Sequence, residues 1–208
     1  MSDSFFADRP RHEPEEPEPR PAPPWAGPPD GTVPAIVPLE RVVARSASVA
    51  IALTALEVYP AGLVLELVVM AARPLDRDRN LLRLFHDPWA DATTTAGRLR
   101  LGARLSDGTR VVADDHADLP DRRAPAAVLQ SLGGGGNDRR HAARYWLWPL
   151  PTGPWALVLL WPANDIPETR VELAAAEITA ASTRAQVLFV DSDPPADGTA
   201  AVWRLDGR

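Results

Sequence analysis

Apolar residues recur with a period of two over most of the middle of the chain, the mark of half-buried strands. Leu99, Leu101, Ala103 and Leu105 alternate with Arg98, Arg100, Gly102 and Arg104, the clearest inside–outside strand in the sequence. Asp107-Gly108 follows and predicts a hairpin into residues 109–113. A two-residue loop would pair Arg110 with Leu105 and turn it toward the core. A three-residue loop over 106–108 pairs Arg104 with Arg110 and Ala103 with Val111, and places Gly108 at the left-handed bulge position. The second register keeps the guanidinium outside and is preferred. Residues 49–59 and 63–70 are two β-rich runs joined by the turn Tyr59-Pro60-Ala61-Gly62. Within the second run Leu63, Leu65, Leu67 and Val69 share one face, opposite Val64, Glu66, Val68 and Met70. That pattern predicts a strand buried on one side and partly covered on the other.

Residues 144–150 and 155–162 predict another hairpin about Pro151-Thr152-Gly153-Pro154. Trp146 and Trp148 share a face of its first strand, and Trp155 and Trp161 share a face of its second, with Leu157 and Leu159 between them. Ala156, Val158 and Leu160 make the opposite face apolar too. Both faces are therefore expected to be covered, by the core on one side and a C-terminal helix on the other. That helix is predicted over about residues 174–185, with Ile178, Ala181, Ala185 and Leu188 at helical spacing. Residues 113–123 and 133–140 read as loops. The order of strands followed by one helix, without βαβ alternation, excludes a doubly wound sheet and an α/β barrel. The expectation is a mainly β fold: an antiparallel immunoglobulin-like β-sandwich of six or seven strands with one C-terminal helix.

The two ends differ from the middle. Ten of the first 34 residues are Pro, interleaved with Glu13, Glu15, Glu16 and Glu18. Residues 1–34 are expected to form a disordered Pro/Glu-rich arm, because they cannot bury enough apolar surface to offset the entropy of ordering. Pro21-Ala22-Pro23-Pro24 contains a PxxP element, and Trp25 suits packing on the domain edge. Residues 191–208 open with Asp191-Ser192-Asp193-Pro194-Pro195 and are expected to form a flexible tail, which leaves one domain over residues 35–190.

Composition narrows the chemistry. The 208 residues contain no Cys, which excludes a disulfide scaffold, a thiol nucleophile and a thiolate metal site. All 22 basic residues are Arg, so no Lys is present for a Schiff base or a Walker-type phosphate site. A net charge of −6 argues against non-specific nucleic-acid binding. The longest apolar region, residues 48–72, approaches the length of a membrane span, but Glu57, Pro60, Gly62 and Glu66 interrupt it. Two strands and a turn account for it, and residues 1–34 lack the apolar run of a signal peptide. A cytoplasmic protein without a membrane span is expected.

The stretch Leu132-Gly133-Gly134-Gly135-Gly136, with Tyr145-Trp146-Leu147-Trp148-Pro149-Leu150-Pro151, Trp161-Pro162 and Ile166-Pro167-Glu168-Thr169-Arg170, resembles an uncharacterised actinobacterial family. So does Val37-Pro38-Leu39-Glu40-Arg41-Val42-Val43-Ala44-Arg45. The likeness covers about residues 25–189 and implies no activity and no site residues.

His12, His86, His116 and His141 fall in four separate contexts, none at zinc-site spacing. The acidic run Asp114-Asp115-His116-Ala117-Asp118 with Asp121 lacks a spacing rule and reads as a solvated loop. Asp76-Arg77-Asp78-Arg79-Asn80 begins like a calcium loop, but Leu81 stands where that loop requires Gly. Gly133 to Gly136 reads as a flexible hairpin loop, not a phosphate cradle, because no helix follows it. No Gly-x-Ser-x-Gly elbow is present. No metal, cofactor or catalytic constellation is expected. Four cations remain on one strand face: Arg98, Arg100, Arg104 and Arg110. The expected function is a non-catalytic protein-interaction or scaffolding module, in which this face accepts an acidic segment of a partner protein or of the chain's own arm. The alternative is an enzyme or small-anion-binding domain with a pocket near the loop from Gly133 to Arg144, using Arg139, Arg140 or Arg144. Gathering of Arg144, Asp114 and His116 about one cavity would favour it.

Overall fold

A computed structural model describes residues 23–74, 98–113 and 125–189. Alternating apolar positions build two antiparallel sheets around one apolar core. The five-stranded sheet has the order β2 (Ala35–Arg45), β3 (Val49–Val58), β4 (Leu63–Ala71), β8 (Arg140–Trp148), β7 (Val128–Gly136). The four-stranded sheet has the order β10 (Ile166–Leu173), β9 (Trp155–Trp161), β5 (Arg100–Arg104), β6 (Arg110–Val112). A short ribbon pairs β1 (Thr32–Val33) with β11 (Gln186–Val187). The described residues thus form eleven strands rather than six or seven. Residues 23–33, which the sequence places in the arm, are part of this body.

The core takes one face of each sheet. Leu63, Leu65, Leu67 and Val69 of β4 and Ala143, Tyr145 and Leu147 of β8 meet Leu157, Leu159, Trp155 and Trp161 of β9 and Leu101 and Ala103 of β5. Strand β3 begins with odd positions inward (Val49, Ile51, Leu53) and ends with even ones inward (Leu56, Val58). A bulge between Leu53 and Leu56 makes the switch. Without that extra residue Glu57 would face the core; with it, the carboxylate faces outward.

The edge strands hold the irregularities. β2 carries Pro38, tolerable on an edge because no neighbour needs its N–H. It is bulged between Pro38 and Arg41, where Glu40 has φ +48°. β7 occupies the opposite edge, and it corrects the loop expected at Gly133 to Gly136. Gly134, Gly135 and Gly136 pair with Ala143, Ala142 and His141, after a bulge at Gly133, whose φ is +95°. A Cβ on Gly134 would meet the carbonyl of Ala142, and one on Gly136 the carbonyl of Arg140. The glycines let this edge strand lie against its neighbour.

The expected hairpin over 144–162 does not form. β8 pairs with β4 and β7, whereas β9 pairs with β5 and β10 in the other sheet. Pro149, Pro151 and Pro154 remove N–H donors from the connection, so it cannot extend a ladder. Leu150 N–H donates instead to the Ala61 carbonyl in the β3–β4 turn, at 2.9 Å. The helix is also shorter than expected, α1 (Ala176–Ser182), and it lies against β2 and β3 rather than over the outer side of β9. Ile178 and Ala181 enter the core, and Leu188 lies beyond the helix, exposed. No helix among the described residues is long and apolar enough to cross a membrane.

Candidate functional site

The outer face of the four-stranded sheet carries the arginines. The β5–β6 register pairs Arg104 with Arg110 and Ala103 with Val111, the three-residue-loop arrangement. Gly108 has φ +88°, and its N–H donates to the Leu105 carbonyl at 3.0 Å. The turn is reinforced by Thr109 N–H, which donates to Asp107 Oδ1 at 2.8 Å and holds that carboxyl below its ordinary pKa. Inward Leu101 and Ala103 leave Arg100, Gly102 and Arg104 on the outside, beside Arg110 and Val112. Across the sheet, Arg100 pairs with Leu160, Gly102 with Val158 and Arg104 with Ala156. The far strand contributes Arg170 and Glu172, joined by an ion pair at 2.6 Å. The result is a row of guanidinium groups beside an apolar lane of Val158 and Leu160, both half-buried, with exposed Val112 at its margin. Among the described residues no carboxylate lies within ion-pair distance of Arg100, Arg104 or Arg110. Arg98 lies before β5 and has interactions of its own.

The outer face of the five-stranded sheet is built differently. Arg144 of β8 pairs in register with Glu66 and forms an ion pair with Glu57 through Nη2 at 2.6 Å. Glu66 accepts from Thr54 Oγ1 at 3.0 Å, and Tyr59 Oη donates to Glu57 at 3.3 Å. Burial, and then the adjacent Glu57 charge, push the Tyr59 phenol above its ordinary pKa, with Arg144 acting in the opposite sense. Next to these groups Tyr59, Val64 and Trp146 form a second apolar cluster, with Leu132 and Trp148 packed on it. The Trp146 ring lies over the β3–β4 turn, where a Cβ on Gly62 would come within 2.6 Å of it. Residues 23–26 close the cluster from above. Trp146 Nε1–H donates to the Pro24 carbonyl at 3.3 Å, and Trp25 meets Trp148 edge-on with centroids 6.0 Å apart.

The arginines of the alternative site are divided among separate tasks. Arg144 belongs to the Glu57 ion pair, and Arg139 Nη2 donates to the Ala72 carbonyl at 3.1 Å. The Arg139 and Arg140 N–H groups both donate to Asn137 Oδ1 at 2.9 Å, which fixes the β7–β8 turn. Arg140 is exposed at the start of β8. Asp114 and His116 lie outside the described residues, as do His12, His86, the runs 76–80 and 117–121, and Glu13 to Glu18. His141 is buried on the inner side of β8. Among the described residues no three His, Asp or Glu side chains gather as a metal site would require. The sequence reading missed the Glu57–Arg144 pair because it depends on the bulge in β3 and on β8 lying next to β4. The only sequence signal for it was that Glu57 and Arg144 both stand in apolar runs. Comparison with protein families, curated proteins and solved structures finds no match to the chain.

Proposed function

We propose that the chain is a non-catalytic protein-interaction module, an immunoglobulin-like β-sandwich whose Arg100, Arg104 and Arg110 face receives an acidic protein segment. The sandwich reading is supported by antiparallel pairing throughout and by connections that cross between the two sheets. The observation that carries the function is the direct opposition of Arg104 and Arg110, with no described carboxylate at ion-pair distance. Like charges placed opposite each other on a sheet are unfavourable, and an incoming acidic segment relieves them. The neighbouring lane of Val158, Leu160 and Val112 offers apolar contact along the same strands, so an acidic segment with interspersed apolar residues fits best. The Glu-bearing residues 12–18 are an acidic segment of the same chain. Arg98 belongs to the same binding surface in this reading.

Each exposed ion pair contributes only about 0.2–1 kcal/mol, so binding is weak and salt-sensitive. The test is a titration of the full chain, with its own Glu13, Glu15, Glu16 and Glu18 changed to Gln, with a peptide of residues 12–19, following the backbone NMR signals of β5 and β6. Saturable shifts at low salt that vanish near 1 M salt, and that are lost in Arg104→Glu/Arg110→Glu, are expected. Shifts that persist in the charge-reversed chain would defeat the proposal, as would an absence of shifts with any acidic peptide.

A further inference from the structure

Residues 23–26 lie on the outer face of the five-stranded sheet as a closed unit. The Ala26 N–H donates to the Pro23 carbonyl at 2.9 Å, which makes a four-residue turn with Pro24 and Trp25 at its centre. A proline in the second position of a turn has its φ already set, so this turn carries its shape in its own sequence. Two contacts seat it. The Pro24 carbonyl accepts from Trp146 Nε1–H at 3.3 Å, and Trp25 meets Trp148 edge-on with centroids 6.0 Å apart. Tyr59 supports the seat, its ring edge-on to Trp146 with centroids 5.7 Å apart.

The link from this turn to the body is loosely built. Gly27, Pro28 and Pro29 follow it; the prolines have no N–H, and a Cβ on Gly27 would meet nothing within 4 Å. Thr32 N–H donates to the Pro29 carbonyl at 3.3 Å, a bond internal to the segment. A tie to a distant part of the chain comes at Gly31, whose carbonyl accepts from Leu188 N–H at 2.8 Å. The turn is therefore a tethered group, seated by one polar and one aromatic contact. Segments with few contacts open locally while the sheets stay folded. Opening frees the Trp146 N–H and bares the ring of Trp148. Aromatic surfaces with an indole donor are what proline-bearing protein segments dock on, because the rings take the apolar side chains and the donor takes a carbonyl.

We infer that this face is a recognition site for an uncharged proline–tryptophan turn of a partner protein, with the chain's own residues 23–26 held in it as a competitor. The partner's chemistry is that of the occupant: a prolyl carbonyl for the Trp146 N–H and an indole for Trp148, with no charge over residues 21–28. The site is separate from the Arg104 face and stands or falls independently of it, since its ligand carries no charge and its binding is insensitive to salt. A short tether supplies an effective concentration near the millimolar range, so the cis turn excludes weak ligands and yields to tighter ones.

The experiment titrates two full-length chains, the parent and Trp25→Ala, with an end-blocked peptide of residues 21–28. The NMR signals of Trp146 Nε1–H and of the amides of residues 59–64 and 145–148 are followed. Trp25 lies outside both sheets, so its removal empties the aromatic half of the seat and leaves the sheets folded. Trp25→Ala is expected to give saturable shifts confined to those signals, alike at low and high salt. The parent should bind about tenfold more weakly or worse, because its seat is open only in a minor state of about 0.1–10 %. Trp25→Ala/Trp148→Ala should lose the peptide, and the peptide with Trp25→Ala should bind neither chain. Absence of saturable shifts in Trp25→Ala, up to about the millimolar concentration that the tether supplies, would overturn the inference. So would equal affinity for the two chains, or binding that survives the loss of Trp148. A parent chain that dimerises with rising concentration, its Trp146 Nε1–H signal moving in step, would give the seat to the turn of a second copy and overturn the partner assignment.

Discussion

The two outer faces use the same alternation and reach opposite outcomes. At the centre of the five-stranded sheet the charges have company: Arg144 meets Glu57 at 2.6 Å and Glu66 accepts from Thr54 at 3.0 Å. A fully buried Trp146 lies beside them under residues 24 and 25. On the four-stranded sheet Arg104 faces Arg110, and described carboxylates keep their distance from both. The first face has been made into a second, smaller core. The second is charged and, among the described residues, uncovered, which is what a recognition surface needs. Under the proposed function, stability and binding fall to different sheets.

The largest effect expected from this division is on the covered face. Trp146→Ala removes a fully buried indole and should cost about 3–5 kcal/mol, read as a lower urea midpoint at unchanged slope. Arg104→Ala on the open face should stay within about 0.5 kcal/mol of the parent. A cost below about 1 kcal/mol for Trp146→Ala would erase the distinction. Trp25→Ala tests the cover itself. It forfeits an edge-on ring contact worth about 0.5–1.5 kcal/mol together with apolar burial. A loss of about 1–2 kcal/mol in urea unfolding is expected, and no loss would show that residues 24–26 lie on the face without holding it.

How far these faces were legible in the sequence follows from what sets them. The β5–β6 hairpin is local: Asp107-Gly108 and the alternating Arg and Leu residues decide its register within a dozen residues. The same holds for β4, whose inward set Leu63, Leu65, Leu67, Val69 reads directly from its alternation. Partner choice is non-local. Trp146 and Trp155 stand close in sequence, both in apolar strands, yet the proline-bearing link sends them to different sheets. Glu57 was equally opaque, because one bulge residue in β3 decides whether it points to the core or to Arg144. β7 was hidden by composition, since a run of glycine carries no alternation to read. The orientation of Arg41 in β2 depends on a bulge at Glu40, and nothing in the sequence marks a non-glycine residue for positive φ.

A smaller effect sharpens the contrast through pH. The Tyr59 phenol is raised above its unfolded value of 10.0 by burial first and by Glu57 second. The folded state therefore holds this proton more tightly than the unfolded state. Its contribution is fully present below pH 10 and is lost as pH climbs through the higher folded value. Tyr59→Phe should remove that part of the alkaline loss of stability. Glu57→Gln should bring the phenol back toward 10, followed by its ultraviolet ionisation, while costing no more than about 1 kcal/mol because the ion pair is partly exposed. A Tyr59 titration unmoved by Glu57→Gln would mean the charged cluster is not coupled to the aromatic one.

The smallest effect is the most telling about the open face, because its sign is reversed. Arg104 and Arg110 are cross-strand partners of like charge, an arrangement unfavourable by about 0.2–1 kcal/mol. Replacing Arg110 with Thr keeps a strong strand former and removes the repulsion, so Arg110→Thr should stabilise the protein by a few tenths of a kcal/mol at low salt. Screening shortens from about 30 Å at 0.01 M salt to about 3 Å at 1 M, so the gain should fade over that range. Arg144→Thr on the covered face should do the opposite, destabilising at low salt by leaving Glu57 without its partner. Urea unfolding of both variants at the two salt concentrations measures the pair of signs. The stabilising change should also weaken binding of the acidic peptide, since the cation it removes is the one the peptide would meet. If Arg110→Thr destabilises at low salt, the guanidinium supports the hairpin through its own packing. The open face would then be a structural surface like the other.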